Sequence, residues 1–461
     1  MKKLLLICLL WIGISSNARA SHMMGGQITI EHISGMDYHL VYTAYRDMTG
    51  IPIAMVSSIN FVDSLSGANF QVAVSYDTII NVLVPGVEEY VYDTVITFPS
   101  VGEWYISYEE CCRNAAILNM TQPGGEFHHF YTIIQIDSSN SSPVFLNPPI
   151  VLAQDSVPFY YNPLPFDADG DSIAWSLDVP LSGNGVPVAG YTLPPSDSLV
   201  PFNMDPITGE ITFLPNTLGN FQVSVRVKEY RNGVQIGEIT RDMQIIVVPS
   251  PNTPATVMIV ANTAPFNGKV YSITPGTAFS LNVTVFDMDA QAISILGNGE
   301  PFLLTSNQAQ LAVTNGVGSA SAILSWTPSA AQERTAPYIM GLRISEIYSN
   351  YVFQSDISIS LRVGFGTTGI VENALSSAIS VSPNPSTGNF AIQFNSTSNS
   401  PVKVDITSID GKVAQGFTKD QIVSGLNVIQ VNNLNLAKGA YIVRVEQDGK
   451  YLGMQRLIIQ H

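Results

Sequence analysis

Between residues 21 and about 140, apolar and polar side chains alternate with a period of two in six stretches: 27–30, 38–45, 70–76, 90–98, 104–108 and 130–136. That period places successive side chains on opposite faces of an extended chain. The stretches are rich in β-branched and aromatic residues, and Gly, Pro, Asn and Asp separate them, so strands joined by turns are expected. This segment therefore reads as a β-sandwich module spanning 21–140.

The pattern then repeats. Phe166-Asp167-Ala168-Asp169-Gly170-Asp171-Ser172-Ile173 lines up with Phe286-Asp287-Met288-Asp289-Ala290-Gln291-Ala292-Ile293. Ile211-Thr212-Phe213-Leu214-Pro215 lines up with Leu324-Ser325-Trp326-Thr327-Pro328, and Arg226-Val227-Lys228-Glu229 with Arg343-Ile344-Ser345-Glu346. The order is kept and only the loops differ, so 143–249 and 252–364 are two copies of one unit. Asp205-Pro206-Ile207-Thr208-Gly209 supplies a turn before the next strand. These repeats resemble cadherin-like and immunoglobulin-like sandwiches. The resemblance implies an all-β fold of tandem β-sandwich domains in an elongated chain.

Composition agrees. Only 12% of residues are charged, against 35 Gly and 28 Pro. The first twenty residues read as an export signal: Lys2 and Lys3, an apolar run from Leu4 to Ile14, then Ala18-Arg19-Ala20 for cleavage. That run is too short to span a bilayer, and no later stretch forms a transmembrane segment. Cys8 lies inside the run, not at its end, which speaks against lipidation. Cleavage removes three positive charges from a formal net charge of −16, leaving −19. A chain so acidic repels phosphate backbones, which excludes nucleic acid as a partner class. Mature cysteines are two neighbours, Cys111 and Cys112. Two readings stand: a vicinal disulfide that stiffens one turn, or two buried, reduced thiols. Neither crosslinks distant segments.

Residues 21–46, beginning Ser21-His22 and including Gly25-Gly26-Gln27-Ile28 and Tyr45-Arg46, continue to Asp47 and the later Cys111-Cys112-Arg113-Asn114. Together these resemble the opening module of surface proteins from gliding bacteria. That module has a Cys directly after the Tyr-Arg-Asp stretch, where this chain has Met48.

Residues 365–378 lack strand patterning and read as a linker. Beyond it come Pro383-Asn384-Pro385-Ser386-Thr387-Gly388, Asp410-Gly411-Lys412, Gly439-Ala440-Tyr441, and a basic-aliphatic end containing Arg456-Leu457-Ile458-Ile459. Four such motifs in this order over residues 379–461 resemble the type A C-terminal sorting domain of type IX secretion cargo. The resemblance implies the type IX secretion machinery as partner, passage through the periplasm, and an extracellular or outer-membrane-surface location. It further implies removal of the tail at the outer membrane and linkage of the body to surface lipopolysaccharide. Charge marks the same boundary: the tail carries seven basic and five acidic residues, and residues 21–378 carry ten and thirty-one.

Asp167, Asp169 and Asp171 form the candidate metal site. Alternate positions on an extended segment aim three carboxylates to one side, where they repel unless a cation intervenes. Oxygen ligands and a Gly-permitted bend suit Ca²⁺, with Glu229 as a further ligand. A solvated acidic turn is the plainer reading of the same residues. The second repeat has Gln291 in place of the third aspartate, so its site is expected to be weaker or absent. Enzyme motifs are missing: there is no His-Glu-x-x-His, no Gly-x-Ser-x-Gly elbow and no phosphate-cradling loop. His128 and His129 are adjacent in a strand pattern and point to opposite faces. The expected role is a non-enzymatic, surface-attached interaction or adhesion protein. A carbohydrate-binding module or glycan-degrading accessory protein is the alternative.

Overall fold

The computed structural model describes residues 23–81, 84–137, 139–249, 252–262, 270–364 and 379–459, except 383, 385, 397, 409–411 and 449. The export segment and the linker read from the sequence lie outside the described residues, as do Pro383, Pro385, Asp410 and Gly411. Two compact units divide the described chain, a body reaching to Val363 and a C-terminal tail.

The body opens with seven strands: β1 (Met23–Ser34), β2 (Asp37–Asp47), β3 (Val56–Asp63), β4 (Asn69–Asn81), β5 (Val87–Thr97), β6 (Gly102–Cys111) and β7 (Phe127–Ile136). They pair in the order β1-β2-β5-β4-β3-β6-β7. Sequence reading missed β3, because one of its inward positions is Ser57, which breaks the apolar alternation that Ile59 and Phe61 continue. The sheet curls round an aromatic interior in which Tyr38, Tyr42, Tyr92, Phe61 and Trp104 are at most 1% exposed. Burying each such ring contributes roughly 1.5–3 kcal/mol.

Both ends of this sheet reach one long strand of the first repeat, Val234–Val248. Gly26 of β1 faces Asp242, and Thr132 to Ile134 of β7 face Ile239 to Gly237. The N-terminal strands and the first repeat therefore share a sheet. The approach of β1 is close: a Cβ on Gly25 would lie 2.3 Å from the Asp242 carbonyl oxygen. Val234–Val248 also pairs antiparallel with Gly219–Arg231 and parallel with Ile150–Gln154. Its odd-numbered residues Ile239, Met243, Ile245 and Val247 fill the core of the first repeat. Its even positions include Glu238, Thr240, Asp242 and Gln244, all buried against the N-terminal module side.

The second repeat packs Thr256–Ala261, Phe279–Phe286, Ser319–Trp326 and Gln310–Thr314 as one sheet. The other layer includes Tyr351–Val363, Tyr338–Tyr348 and Ala292–Gly299. Ser319–Trp326 alternates strictly between exposed and buried, as the pattern required. A buried ion pair of the second repeat also receives a hydrogen bond from the first. Arg343 donates to both Asp356 oxygens at 2.8 Å, and Asp356 Oδ2 also accepts the Asn162 amide at 2.9 Å. Met24 and Tyr45, Ile150 and Leu152, and Phe353 form one apolar cluster drawn from all three parts of the body.

The tail is a separate seven-stranded sandwich, with Ile379–Ser382, Phe390–Ser396 and Gly425–Val431 in one layer. Val413–Lys419, Val402–Ser408, Gly439–Gln447 and Lys450–Ile459 form the other.

Candidate metal centre

Asp167 follows the short strand Pro165–Phe166, and Gly170, at φ 82°, bends the loop back on itself. That left-handed conformation is what glycine permits. Asp167 Oδ1 accepts the backbone N–H groups of Asp169 at 3.1 Å and Asp171 at 2.9 Å, which folds the loop round this side chain. Oxygen atoms of the three aspartates lie within 4.8 Å of one another. Twice a typical Ca–O distance of about 2.4 Å is the same span, so one ion could touch all three.

Glu229 comes from the Gly219–Arg231 strand. Val225 and Val227 before it point into the core, and Glu229 continues that inward row. Its strand partner is Gly237, where a Cβ would lie 2.3 Å from Glu229 Oε2, so glycine leaves the carboxylate its room. Glu229 is fully buried, and neither of its oxygens has a hydrogen-bond partner; Asp167 Oδ2 is likewise buried and unpartnered. Burial first, then the charges of Asp167 and Asp171, push Glu229 well above the usual carboxylate range. Burial, with Asp169 and Asp171 adding to it against two backbone hydrogen bonds, pushes Asp167 up to about 7. Orphaned buried oxygens beside like charges are costly, and a hard cation would relieve both penalties.

Two residues escaped the sequence reading. Arg231 donates to Asp171, to Asp137 at 2.9 Å and to Asn140 Oδ1 at 2.7 Å. One guanidinium thus bridges two carboxylates and an amide oxygen. Asn140 precedes Ser141, whose N–H donates to Asp169 Oδ2 at 2.6 Å. Extending the repeat alignment backwards would have found Asn140, because Asn252-Thr253 occupies the matching place and the Thr253 N–H donates to Asp289 at 2.9 Å.

The second repeat solves the same problem differently. Asn252 donates to Glu346 Oε2 at 2.8 Å, and the Ala255 N–H donates to Oε1 at 3.0 Å. Gln291 turns its amide onto Asn252 Oδ1. Internal amides there cover the glutamate whose counterpart, Glu229, is bare.

The other sites read from the sequence are placed as follows. Cys111 and Cys112 are joined as a vicinal disulfide across a cis peptide bond. His128 and His129 do face opposite ways. His128 is fully buried between Asp242 and the Met23 carbonyl, and His129 meets Glu109 at 2.8 Å and Tyr105 at 2.6 Å. In the tail, Asn384 Oδ1 accepts the Ile458 N–H at 2.8 Å and the Ser386 N–H donates to the Ile458 carbonyl, so the first motif is pinned to the last strand. Gly388 has φ 105°, and a Cβ there would lie 2.3 Å from the Leu434 carbonyl oxygen. Tyr441 donates to the Ala437 carbonyl at 2.9 Å. Gly439 and Arg456 lie on the last two strands, and Lys412 just before Val413–Lys419.

A family described as a secretion system C-terminal sorting domain matches residues 380–460. These residues form a type IX C-terminal sorting domain, and the body ahead of them is built of β-sheets packed in succession. Among solved structures, the chain is similar to Drosophila N-cadherin EC1-4 at 12% identity, covering 89% of this chain and 94% of that one, with a TM-score of 0.17. It is also similar to a DUF4785 family protein from Legionella pneumophila at 8% identity, covering 63% and 78%, with a TM-score of 0.21. A Dpr2 Ig1-Ig2 complex with DIP-Theta Ig1-Ig3 aligns at 10% identity over 73% and 100%, with a TM-score of 0.16. No curated protein matches the chain. The sorting domain implies export to the cell surface or beyond and an encounter with the type IX machinery. No helix among the described residues is long and apolar enough to cross a membrane.

Proposed function

We propose that this chain is a type IX cargo whose body serves as a calcium-stabilised interaction or adhesion protein at the cell surface. The observation that carries the calcium assignment is Glu229, fully buried with both oxygens unpartnered beside three clustered aspartates. Asp167, Asp169, Asp171 and Glu229 would hold the ion, whose charge would offset their mutual repulsion. Asn140 lies in the stretch leading from β7 into the first repeat, so an ion here would also stiffen that passage. No catalytic role is assigned to any residue. The glycan-binding alternative needs accessible coplanar rings. Trp104, Tyr38, Tyr42 and Tyr92 are interior, and the stacked Tyr105–Tyr131 pair has Tyr131 only 6% exposed. Adhesion is therefore the favoured reading, and a glycan array with the mature chain separates the two.

The export half of the proposal is tested by deletion and transplantation. Removing residues 379–461 should leave the body in the periplasm, and fusing them to a foreign sandwich should carry it to the surface. Surface delivery of the truncated body would overturn the assignment.

A further inference from the structure

Thr256–Ala261 begins the second repeat with Thr256-Val257-Met258-Ile259-Val260-Ala261, six residues without charge or proline. Among the described residues it is paired on one side only, to Phe279–Phe286. Its two faces are both open: Met258 is 55% and Val260 59% exposed on one, and Ile259 is 42% exposed on the other. Natural edge strands usually carry lysine, proline or a bulge to prevent pairing with another chain. This one carries none.

Beside it, between the first and second repeats, lies a cavity of about 260 Å³. Val257 forms part of its wall with Val157, Phe159, Tyr160 and Phe353, and Glu346, whose two oxygens each accept one internal amide and keep a further lone pair, supplies a carboxylate. An open strand edge offers main-chain hydrogen bonds, and an adjoining pocket offers a place for one side chain. Together these are the two requirements of recognition by strand addition.

We propose that this junction binds an extended, basic-aliphatic segment of a partner protein, added as a strand to Thr256–Ala261 with a Lys or Arg side chain in the cavity, directed at Glu346. Charge complementarity selects the occupant. Residues 21–378 carry thirty-one acidic and ten basic residues, so a basic strand is attracted. A second copy pairing through the same edge would bring two acidic chains together and place no cation near Glu346.

The test uses the mature chain, residues 21–461, as bait for a random heptapeptide library, and then the enriched peptides as fluorescent probes. Enrichment should give aliphatic residues at alternate positions with one Lys or Arg. Amide exchange across 257–260 should slow at least tenfold on binding. Met258→Lys, a change at an exposed position, should weaken binding at least tenfold, and so should Glu346→Gln, which keeps the side-chain shape. Val157→Trp, which fills the cavity, should do the same. The proposal is overturned by enrichment of acidic or non-periodic peptides, by probe binding that both Met258→Lys and Glu346→Gln leave intact, or by no saturable binding. It is equally overturned if the mature chain dimerises through this edge and Met258→Lys abolishes the dimer. None of these outcomes depends on calcium, so each arm repeated in chelator keeps this proposal separate from the metal assignment.

Discussion

Glu229 shows how one side chain can define a site. A buried carboxylate without hydrogen bonds is several kcal/mol worse off than in water unless it is protonated or bound to a cation. With free Ca²⁺ at a hundred times its dissociation constant, the folded state should gain about 2.7 kcal/mol. The mature chain should therefore melt a few degrees higher in millimolar Ca²⁺ than in chelator, and Asp169→Asn should remove most of that difference. Equal melting temperatures in the two buffers would leave the aspartates as a solvated turn. His128 makes a second residue-scale prediction. Burial, and then the neighbouring Arg113, lower it to about 4, against the pull of Asp242 and the Met23 carbonyl. Burial pushes Asp242 up, but Arg113 and His128 hold it below its usual value. Tyr191, also near Asp242 and Arg113, stays neutral because burial raises it far above neutrality. Between pH of about 6.5 and 4 the unfolded chain binds a proton at His128 that the folded chain does not, so the contribution of His128 to stability falls as pH falls through that window, while the raised Asp167 and Glu229 contribute in the opposite sense. A fully expressed shift amounts to on the order of 3 kcal/mol. Urea midpoints measured from pH 7 to 4 in wild type and His128→Gln isolate this residue: the wild-type midpoint should drop relative to that of the variant as pH falls.

At the scale of elements, the sorting motifs turn out to be joints. Asn384 and Ser386 tie the opening of the tail to Ile458 in its last strand, and Gly388 occupies a left-handed position against the Leu434 carbonyl. Motifs 74 residues apart are thus one structural arrangement. Gly388→Ala combines an unfavourable φ with a steric clash and should cost about 1–3 kcal/mol. For a domain of this size each kcal/mol is worth roughly 4–8 °C. Calorimetry of the mature chain should show the tail transition falling by several degrees and the body transition unchanged.

For the body as a whole, cooperativity is the consequence of sharing. Val234–Val248 serves the N-terminal strands and the first repeat at once, and Asp356 of the second repeat, held by Arg343, accepts the Asn162 N–H of the first. Residues 21–363 should accordingly melt in one transition, whereas residues 143–249 made alone should not fold, because the polar row from Glu238 to Gln244 loses its cover. Asp356→Ala would strand a buried guanidinium and should cost about 3–5 kcal/mol. The double change Arg343→Met with Asp356→Leu should cost much less, as chemical denaturation of the body will show.

Most of the strands, the repeated unit, the three aspartates and the sorting tail were legible along the chain. Period-two alternation, turn residues and local spacing are properties of neighbours along the chain, and they survive in any fold that uses them. Where an inward position was polar, as at Ser57, the same logic missed a strand. Only tertiary structure decided that Glu229 is bare while Glu346 is covered. That difference depends on Asn252, which reaches Glu346 across 94 residues of chain, whereas its counterpart Asn140 accepts from Arg231 instead. Only tertiary structure, too, showed that the N-terminal module and first repeat share a strand. The even-numbered residues of Val234–Val248 look solvent-facing in a one-sided sheet, and they are buried because a second domain covers them.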